Sequence, residues 1–381
     1  MGALRPEDAE TTGVKQPVFA ILTIDDGLQL FRGNRANFAD LIRTGREQGF
    51  LTYVVTVKQL KLRRSQVRGY MPDESGMWRE GTFPLPNIVY NRVPMREDEL
   101  LPAVRRKIDA CLKHPRIKLF NPAFFDKWTL FEWLRSSPST KAYIPATRRL
   151  VSARSLGRML SRHPYLYLKP IGGKAGAGIM SVRLRPERPL PFQLRMQKST
   201  RSKARSAATL PRLWALIEKR TLGAPYIAQQ GIELLSFQDR QFDLRALVQK
   251  NGLGRWDVTG IGARLAGSSS ITTHVPRGGS IEDPEKLIRF AFAPEQARQV
   301  MAKARSAALQ IAKQIERASR SSLGEMSMDL GVDSKGRIWF FEANAKPMKF
   351  DEPHIRRKSL ERIFQYSTYL MRRKTDSMGG A

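Results

Sequence analysis

At 381 residues, 41% hydrophobic and 9% aromatic, the chain is long and apolar enough to bury a sizeable core, which excludes the disordered class. No run approaches the ~20 apolar residues that span a bilayer, and "MGALRPEDAETTG" reads as neither a secretory leader nor a lipidation signal. The lone Cys111 excludes an intrachain disulfide and a multi-cysteine metal site, so the expected compartment is the cytosol. Sixty-six basic against 35 acidic side chains give a net charge of +31, concentrated in "RMQKSTRSKAR" (195–205) and "RRKSLERIFQYSTYLMRRK" (356–374). Such a field attracts polyanions, although a solubility effect has the same signature. No recognition helix, zinc finger or RNP pattern turns it into sequence-specific reading.

Residues 1–14 read as a disordered tail. "PVFAILTI" (17–24) has the pattern of a buried strand, and "RANFADLIRTGREQG" (35–49) that of an amphipathic helix closed by Gly49. "LTYVVTV" (51–57) and "NIVYNRV" (87–93) are further strands. A helix over about 98–113 and "IKLFN" complete an N-terminal α/β domain, 15–120, with a mostly parallel sheet. Asn121-Pro122 opens a helix running to Ser137, and 142–150 is extended. "YLYLKP", "GIMSVRL", "PFQLRMQ" and "APYIAQQGIELL" read as antiparallel strands, interrupted by a serine-rich basic loop at 199–208 and a helix at 210–220. A central lobe is expected over 121–228 and a C-terminal lobe over 229–375, followed by a tail, 376–381. The C-terminal lobe carries a long helix, 294–319, with Val300, Ala304, Ala308, Ile311 and Ile315 on one stripe. It also holds a hairpin and a C-terminal helix.

Chemistry concentrates in two places. In "GEMSMDLGVDSKGRIWFFEANAKP" (324–347), Met326, Met328, Leu330 and Val332 alternate with Glu325, Ser327, Asp329 and Gly331 around the turn "DSKG". An even-numbered turn pairs Val332 with Arg337, Asp329 with Phe340 and Ser327 with Glu342. It puts Asp329, Glu342 and Asn344 on one face, whereas an odd-length turn separates them. Two carboxylates and an amide oxygen are hard ligands suited to Mg²⁺; acids that only solvate the face or pair with Arg fit the same pattern. The second place is "YLKPIGGKAGAGIM" (167–180), where Gly172, Gly173, Gly176 and Gly178 follow Lys169. The spacing fits neither a P-loop nor a Rossmann turn. A glycine flap between antiparallel strands, closing on nucleotide phosphates, suits it.

With "PLPNIVYNRV", "FNPAFFDKW", "YIPAT", "YIAQQGIELL", "FDLRALVQ" and "GIGARLAG", these segments run in an order that resembles the ATP-grasp superfamily over roughly 15–370. More narrowly they resemble its YheC/YheD group of endospore coat-associated proteins. The resemblance implies an α/β (α+β) ATP-grasp fold: an N-terminal α/β domain plus two lobes clasping ATP between antiparallel sheets. It implies that Lys127 and Lys169 contact phosphates or adenine and that Gly172, Gly173, Gly176 and Gly178 form the mobile loop. Gln229, Gln230 and Ile232 would meet adenine, with Gln229 where many relatives carry Glu. Asp329, Glu342 and Asn344 would hold one or two Mg²⁺ ions. Arg245 and Arg264 would steady the transferred phosphoryl group or an acyl phosphate; structural pairing, as of Arg245 with Asp243, is the alternative. Lys127 as a surface helix lysine and Lys169 as a strand-end cation are likewise open. "THVPRGGS" (273–280) is similar to the acceptor-side segment, with His274 where relatives usually carry Asn, so the role of His274 stays open. Trp128, Trp133, Trp214 and Trp339 are expected to pack.

The implied activity is a carboxylate–amine ligase that forms an acyl phosphate and releases ADP and phosphate. Its partners would be ATP, a carboxylate substrate and an amine acceptor, and the charge suits an acidic peptide or polyanion. Three rivals stay open: a spore-coat structural or interaction protein retaining ATP binding, an ATP-dependent kinase on the same fold, and a polyanion-binding protein.

Overall fold

The apolar run that opens the chain forms the middle of a sheet. In the computed structural model, which describes residues 16–172 and 176–372, β1 (Val18–Thr23) is buried at every position. Helix α1 (Arg35–Glu47), capped by the Asn34 side chain, leads to β2 (Leu51–Thr56), which pairs with β1 in parallel. A segment without a hydrophobic run then forms an antiparallel hairpin, β3 (Gln66–Pro72) and β4 (Trp78–Pro84), which the sequence pattern does not announce. Its anchor is long-range: the ring of Phe83 stacks on Tyr53 of β2, centroids 4.5 Å apart. Strand β5 (Ile88–Asn91) pairs in parallel with the other side of β1.

The helix expected over 98–113 is two, α2 (Arg96–Leu100) and α3 (Pro102–Leu112). Pro102 has no amide hydrogen to continue a helix and instead starts a new one. With β6 (Lys118–Phe120) the sheet order is β4-β3-β2-β1-β5-β6. Cys111 is buried and free. The described residues up to Leu119, with Met371 and Arg372, form one compact unit, and Phe120–Leu370 form a second. Both expected tails and Gly173 lie outside the described residues.

The second unit begins with α4 (Lys127–Arg135), whose N-cap Asp126 accepts from the Thr129 amide. Strand β7 (Thr147–Leu150) and α5 (Ala153–Arg162) follow, the helix closed at its start by a Ser152–Ser155 capping box. Then come β8 (Tyr165–Pro170), β9 (Met180–Leu184), β10 (Phe192–Gln197), β11 (Ser202–Ala207), α6 (Leu210–Thr221) and β12 (Tyr226–Gln230). They build a sheet of order β11-β10-β9-β8-β12-β7 with antiparallel pairs throughout. Leu156, Leu160, Leu166, Leu168, Val182 and Leu194 share its core. The loop expected at 199–208 is therefore mostly strand. Residues 202–207 pair one for one with β10, a long-range preference that their serine-rich composition does not reveal.

A third sheet, β16-β15-β14-β17-β18, is formed by β14 (Arg240–Lys250), β15 (Trp256–Leu265), β16 (Ser280–Glu282), β17 (Glu325–Val332) and β18 (Ile338–Asn344); the short β13 (Ser236–Phe237) joins β14. Helices α7 (Pro284–Ala291) and α8 (Pro294–Ser319) lie between β16 and β17 in the chain, and α9 (Pro353–Arg372) ends the described residues. The stripe Val300, Ala304, Ala308, Ile311 and Ile315 is fully buried in the core that contains Met326, Met328, Leu330 and Phe340.

Candidate functional site

The second and third sheets line one cleft, enclosing about 890 Å³, part of it open to solvent. One wall is Tyr167 and Lys169 of β8, Gln229 and Gln230 of β12, and Gly176, Ala177 and Ile179 of the glycine segment. The third sheet contributes Asp243, Asp329, Phe341 and Glu342, and Lys127, Ile232, Leu234 and Ile271–His274 also line the cleft.

The register of the β17–β18 hairpin decides what that sheet presents. Val332 pairs with Ile338, so the turn, 333–337, is odd-length, the case that by itself separates Asp329 from Glu342 and Asn344. Asp333 builds it: its Oδ1 accepts from the amides of Lys335 and Arg337, and Gly336 takes a positive φ of 69°. Continued unbroken, this register would turn Glu342 away from Asp329. A β-bulge at Phe341 corrects it, so Asp329 lies directly across from Glu342 and Ser327 from Asn344. Phe340 stays in the core while Phe341 and Glu342, though consecutive, both line the cleft. The pairings expected for Asp329 with Phe340 and for Ser327 with Glu342 are thus each shifted, yet Asp329, Glu342 and Asn344 do share a face.

Strand parity extends this face sideways. Arg245 sits across from Asp329 on β14, and Arg264 across from Asp243 on β15. Arg245 Nη1 donates to Asp329 Oδ1 at 2.7 Å, so its partner is Asp329 and not Asp243. Arg264 Nη1 donates to Glu352 Oε1 at 2.9 Å and lies outside the cleft lining. Lys127, only 8% exposed, places its Nζ 3.0 Å from Glu342 Oε2. An ammonium at a helix N-terminus opposes the helix dipole, and Glu342 offsets that cost. Burial would raise the Glu342 carboxyl, but the charge and hydrogen bond of Lys127 outweigh it and hold the group below the usual carboxylate range.

Lys169 Nζ donates to Gln229 Oε1 at 2.7 Å, and Gln229 Nε2 donates to Thr147 Oγ1 at 3.1 Å, which fixes the amide orientation. Burial, then the nearby Lys127 charge, bring the Lys169 ammonium down to about 8, against the pull of Glu342, Asp329 and Asp243. Its Nζ also lies 5.2 Å from the centre of the Phe341 ring. Gln230 meets the opposite neighbour, with Oε1 accepting from the Ala146 amide at 3.2 Å. Gly176 has φ of 71°, and a Cβ there would stand 2.7 Å from the His274 ring, so the glycine segment approaches His274 as only glycine can. Gly178 lies just outside the lining, its carbonyl accepting from the Tyr226 hydroxyl at 3.0 Å; Gly172 also lies outside it.

Among the described residues, no cluster of three or more His, Cys, Asp and Glu could hold a metal ion. The donor set available is two carboxylates and the Asn344 amide on one face.

Residues 116–370 match the family profile described as YheC/D like ATP-grasp. The chain belongs to that family. A curated relative, the endospore coat-associated protein YheD of Bacillus subtilis (strain 168), is 28% identical over 347 residues, covering 89% of this chain and 75% of that protein. Among solved structures, ATP-grasp ligase PsnB with a minimal precursor aligns at a TM-score of 0.52 and 14% identity, covering 92% of this chain and all of that one. D-alanyl-alanine synthetase A from Vibrio cholerae O1 aligns at 0.53 and 10% identity, covering 94% and 99%. These likenesses establish the ATP-grasp fold.

The ATP-grasp cleft also contains groups that the motifs do not point to. One is Asp243, expected only as a partner for Arg245. Burial and the neighbouring Asp329 charge raise its carboxyl to about 7, and the Thr273 hydroxyl donates to it. The signal was present: Asp243 is two residues from Arg245 on one strand, hence on the same face. Tyr167 and Phe341 left no comparable trace. His274 is half-buried in the wall, and burial holds its pKa below the ordinary imidazole value. Trp128 and Trp133 pack against the main core, Trp214 against the core of the second sheet, and the Trp339 indole donates to Asp333.

Proposed function

We propose that the chain is a Mg-ATP-dependent carboxylate–amine ligase working through an acyl phosphate. The observation that carries this reading is the bulge-corrected hairpin, which sets Asp329 and Glu342 side by side in one cleft with the buried Lys127 and the half-buried Lys169. The ligase names of the aligned ATP-grasp structures support the class.

The donor set fits Mg²⁺: every candidate ligand atom is oxygen, and Asp329 and Glu342 each commit one carboxylate oxygen to a cation, leaving the other for a metal. With Asn344 they would hold one or two ions, whose chemistry is to neutralise phosphate charge and orient the phosphates. Lys127 and Lys169 neutralise the triphosphate, and Gly172, Gly176 and Gly178 belong to the segment that closes over it. Gln229, Gln230 and Ile232 form the adenine hinge; the Gln229 carbonyl is occupied by Lys169, which leaves main-chain groups to read the base. Arg245, tethered to Asp329, steadies the transferred group.

A substrate carboxylate attacks the γ-phosphorus, ADP leaves, and an amine displaces phosphate from the acyl phosphate to give an amide. Positioning and charge neutralisation are the protein's part, and no protein nucleophile is required. The lobes clasping the nucleotide would be 121–228 and 229–375, and the YheD likeness suggests association with the spore coat.

The test is ADP release against pooled amino acids and peptides, with mass analysis of the products. An amide with stoichiometric ADP and phosphate is expected, and Glu342→Ala should lower turnover by at least about a hundredfold. A stable phosphorylated product would make the protein a kinase, and unchanged turnover in Glu342→Ala would remove the metal assignment.

A further inference from the structure

We propose that the outer edge of β11 is a docking strand for an acidic peptide, which pairs with it main chain to main chain beside the cleft. Among the described residues, β11 ends its sheet, with no strand on its outer side. The hydrogen bonds fix which of its groups point outward. In the turn the Lys198 amide donates to Arg201 O, and the Gln197 amide donates to Ile179 O, away from β11. Gln197 and Ser202 are therefore a pair that does not exchange hydrogen bonds, and the Ser202 amide turns outward to the Ser269 carbonyl. Ala204 and Ser206 share that parity, so their amides and carbonyls face outward too.

The first rung of an added strand is thus already made, by a loop that continues into Ile271–His274 of the cleft wall. A peptide continuing that rung along Ala204 and Ser206 has one end at the cleft, where β9 begins beside Ile179, and runs outward from it. The charge of the occupant follows from the hairpin. Residues 195–205 hold five cations, Arg195, Lys198, Arg201, Lys203 and Arg205, and no acid. All but Arg195 lie on the turn or on β11, all five are exposed, and none forms an ion pair among the described residues. A lysine on an edge strand ordinarily discourages pairing with a second copy. Five cations without one acid go further and select a partner of opposite sign. Lys203 and Arg205 lie on one face, so acids at alternate positions of the added strand meet both.

That the docked peptide is the ligase's substrate rests on the function proposed for the cleft; the docking itself does not. The test uses the full chain and fluorescence anisotropy with a labelled peptide alternating Glu and Thr, a Gln/Thr counterpart, and labelled oligo-dT. At physiological salt the Glu/Thr peptide should bind at least about tenfold tighter than Gln/Thr. Lys203→Glu with Arg205→Glu should weaken it by about tenfold or more. Ala204→Pro, which removes an outward amide and no bond within the sheet, should weaken it about fivefold or more. Peptide binding unchanged in Ala204→Pro overturns main-chain pairing. Oligo-dT binding as tightly as the peptide and lost on the same charge reversal overturns the peptide in favour of a general polyanion surface. MgATP titration of the same proteins separates the two ideas: a wild-type chain that takes the peptide but no MgATP defeats the ligase reading and leaves the docking intact.

Discussion

Lys169 joins sequence to chemistry most directly. Its place beside the glycine segment was legible, but its environment was not, because Lys127, Glu342 and Asp243 reach it from distant parts of the chain. Its ammonium, ordinarily at 10.5, titrates near about 8 in the fold. Below about 8 it is charged in both folded and unfolded chains, and burying that charge costs stability. Between about 8 and 10.5 the unfolded chain holds more protons, so this group's contribution makes stability rise with pH across that window. Phosphate binding moves the other way, since the attracting charge disappears as the ammonium titrates. MgATP affinity measured by calorimetry should therefore fall from about pH 7 to about pH 9 in the wild type. In Lys169→Arg, charged throughout, that part of the profile should flatten. Superimposable profiles would show that Lys169 does not govern the pH dependence. Asp243 teaches the complementary point: strand parity put it on the site face, yet nothing local indicated the burial that raises its carboxyl.

At the scale of elements, the hairpin and the glycine segment behaved differently. Alternation in 325–332 announced a strand, but the grouping of Asp329 with Glu342 and Asn344 was tied to an even turn, and with the odd turn it is kept only by the bulge. The bulge at Phe341 was illegible because "WFFEAN" alternates acceptably in either register. The choice depends on Phe340 entering the core and on the turn that Asp333 organises. β3, β4 and β11 were missed for a related reason, since each is stabilised by cross-strand partners and not by its own hydrophobicity. The glycine segment makes a sharper prediction. At Gly176 a side chain would combine a left-handed backbone with a collision against His274. Gly176→Val should weaken MgATP binding by at least about tenfold, read by a fluorescent-nucleotide titration, and move Tm by no more than about 3 °C because little core is involved. An unaltered dissociation constant would detach this segment from nucleotide binding.

For the molecule as a whole, +31 on 381 residues means that folding gathers like charges. Screening shortens their reach from about 30 Å at 0.01 M salt to about 8 Å at 0.15 M. Tm should accordingly rise by several degrees over that range in a fluorimetric melt, and a flat response would mean that local pairing already compensates the field. Some pairing exists, as in buried Arg362 with Asp257, yet the hairpin cations at 195–205 have none among the described residues. By itself the sequence determined what short-range periodicity encodes: the buried strands, the long helix with its apolar stripe, the glycine segment after a lysine, and an acid-bearing hairpin in an order typical of one family. Only the tertiary structure decided that Lys127 turns inward to Glu342, that Arg245 holds Asp329 while Arg264 goes to Glu352, and that a bulge realigns the carboxylates. The reason is physical. Periodicity is written in neighbours along the chain, whereas register, burial and charge pairing depend on which distant strands meet, and one extra residue in a strand reverses every face beyond it.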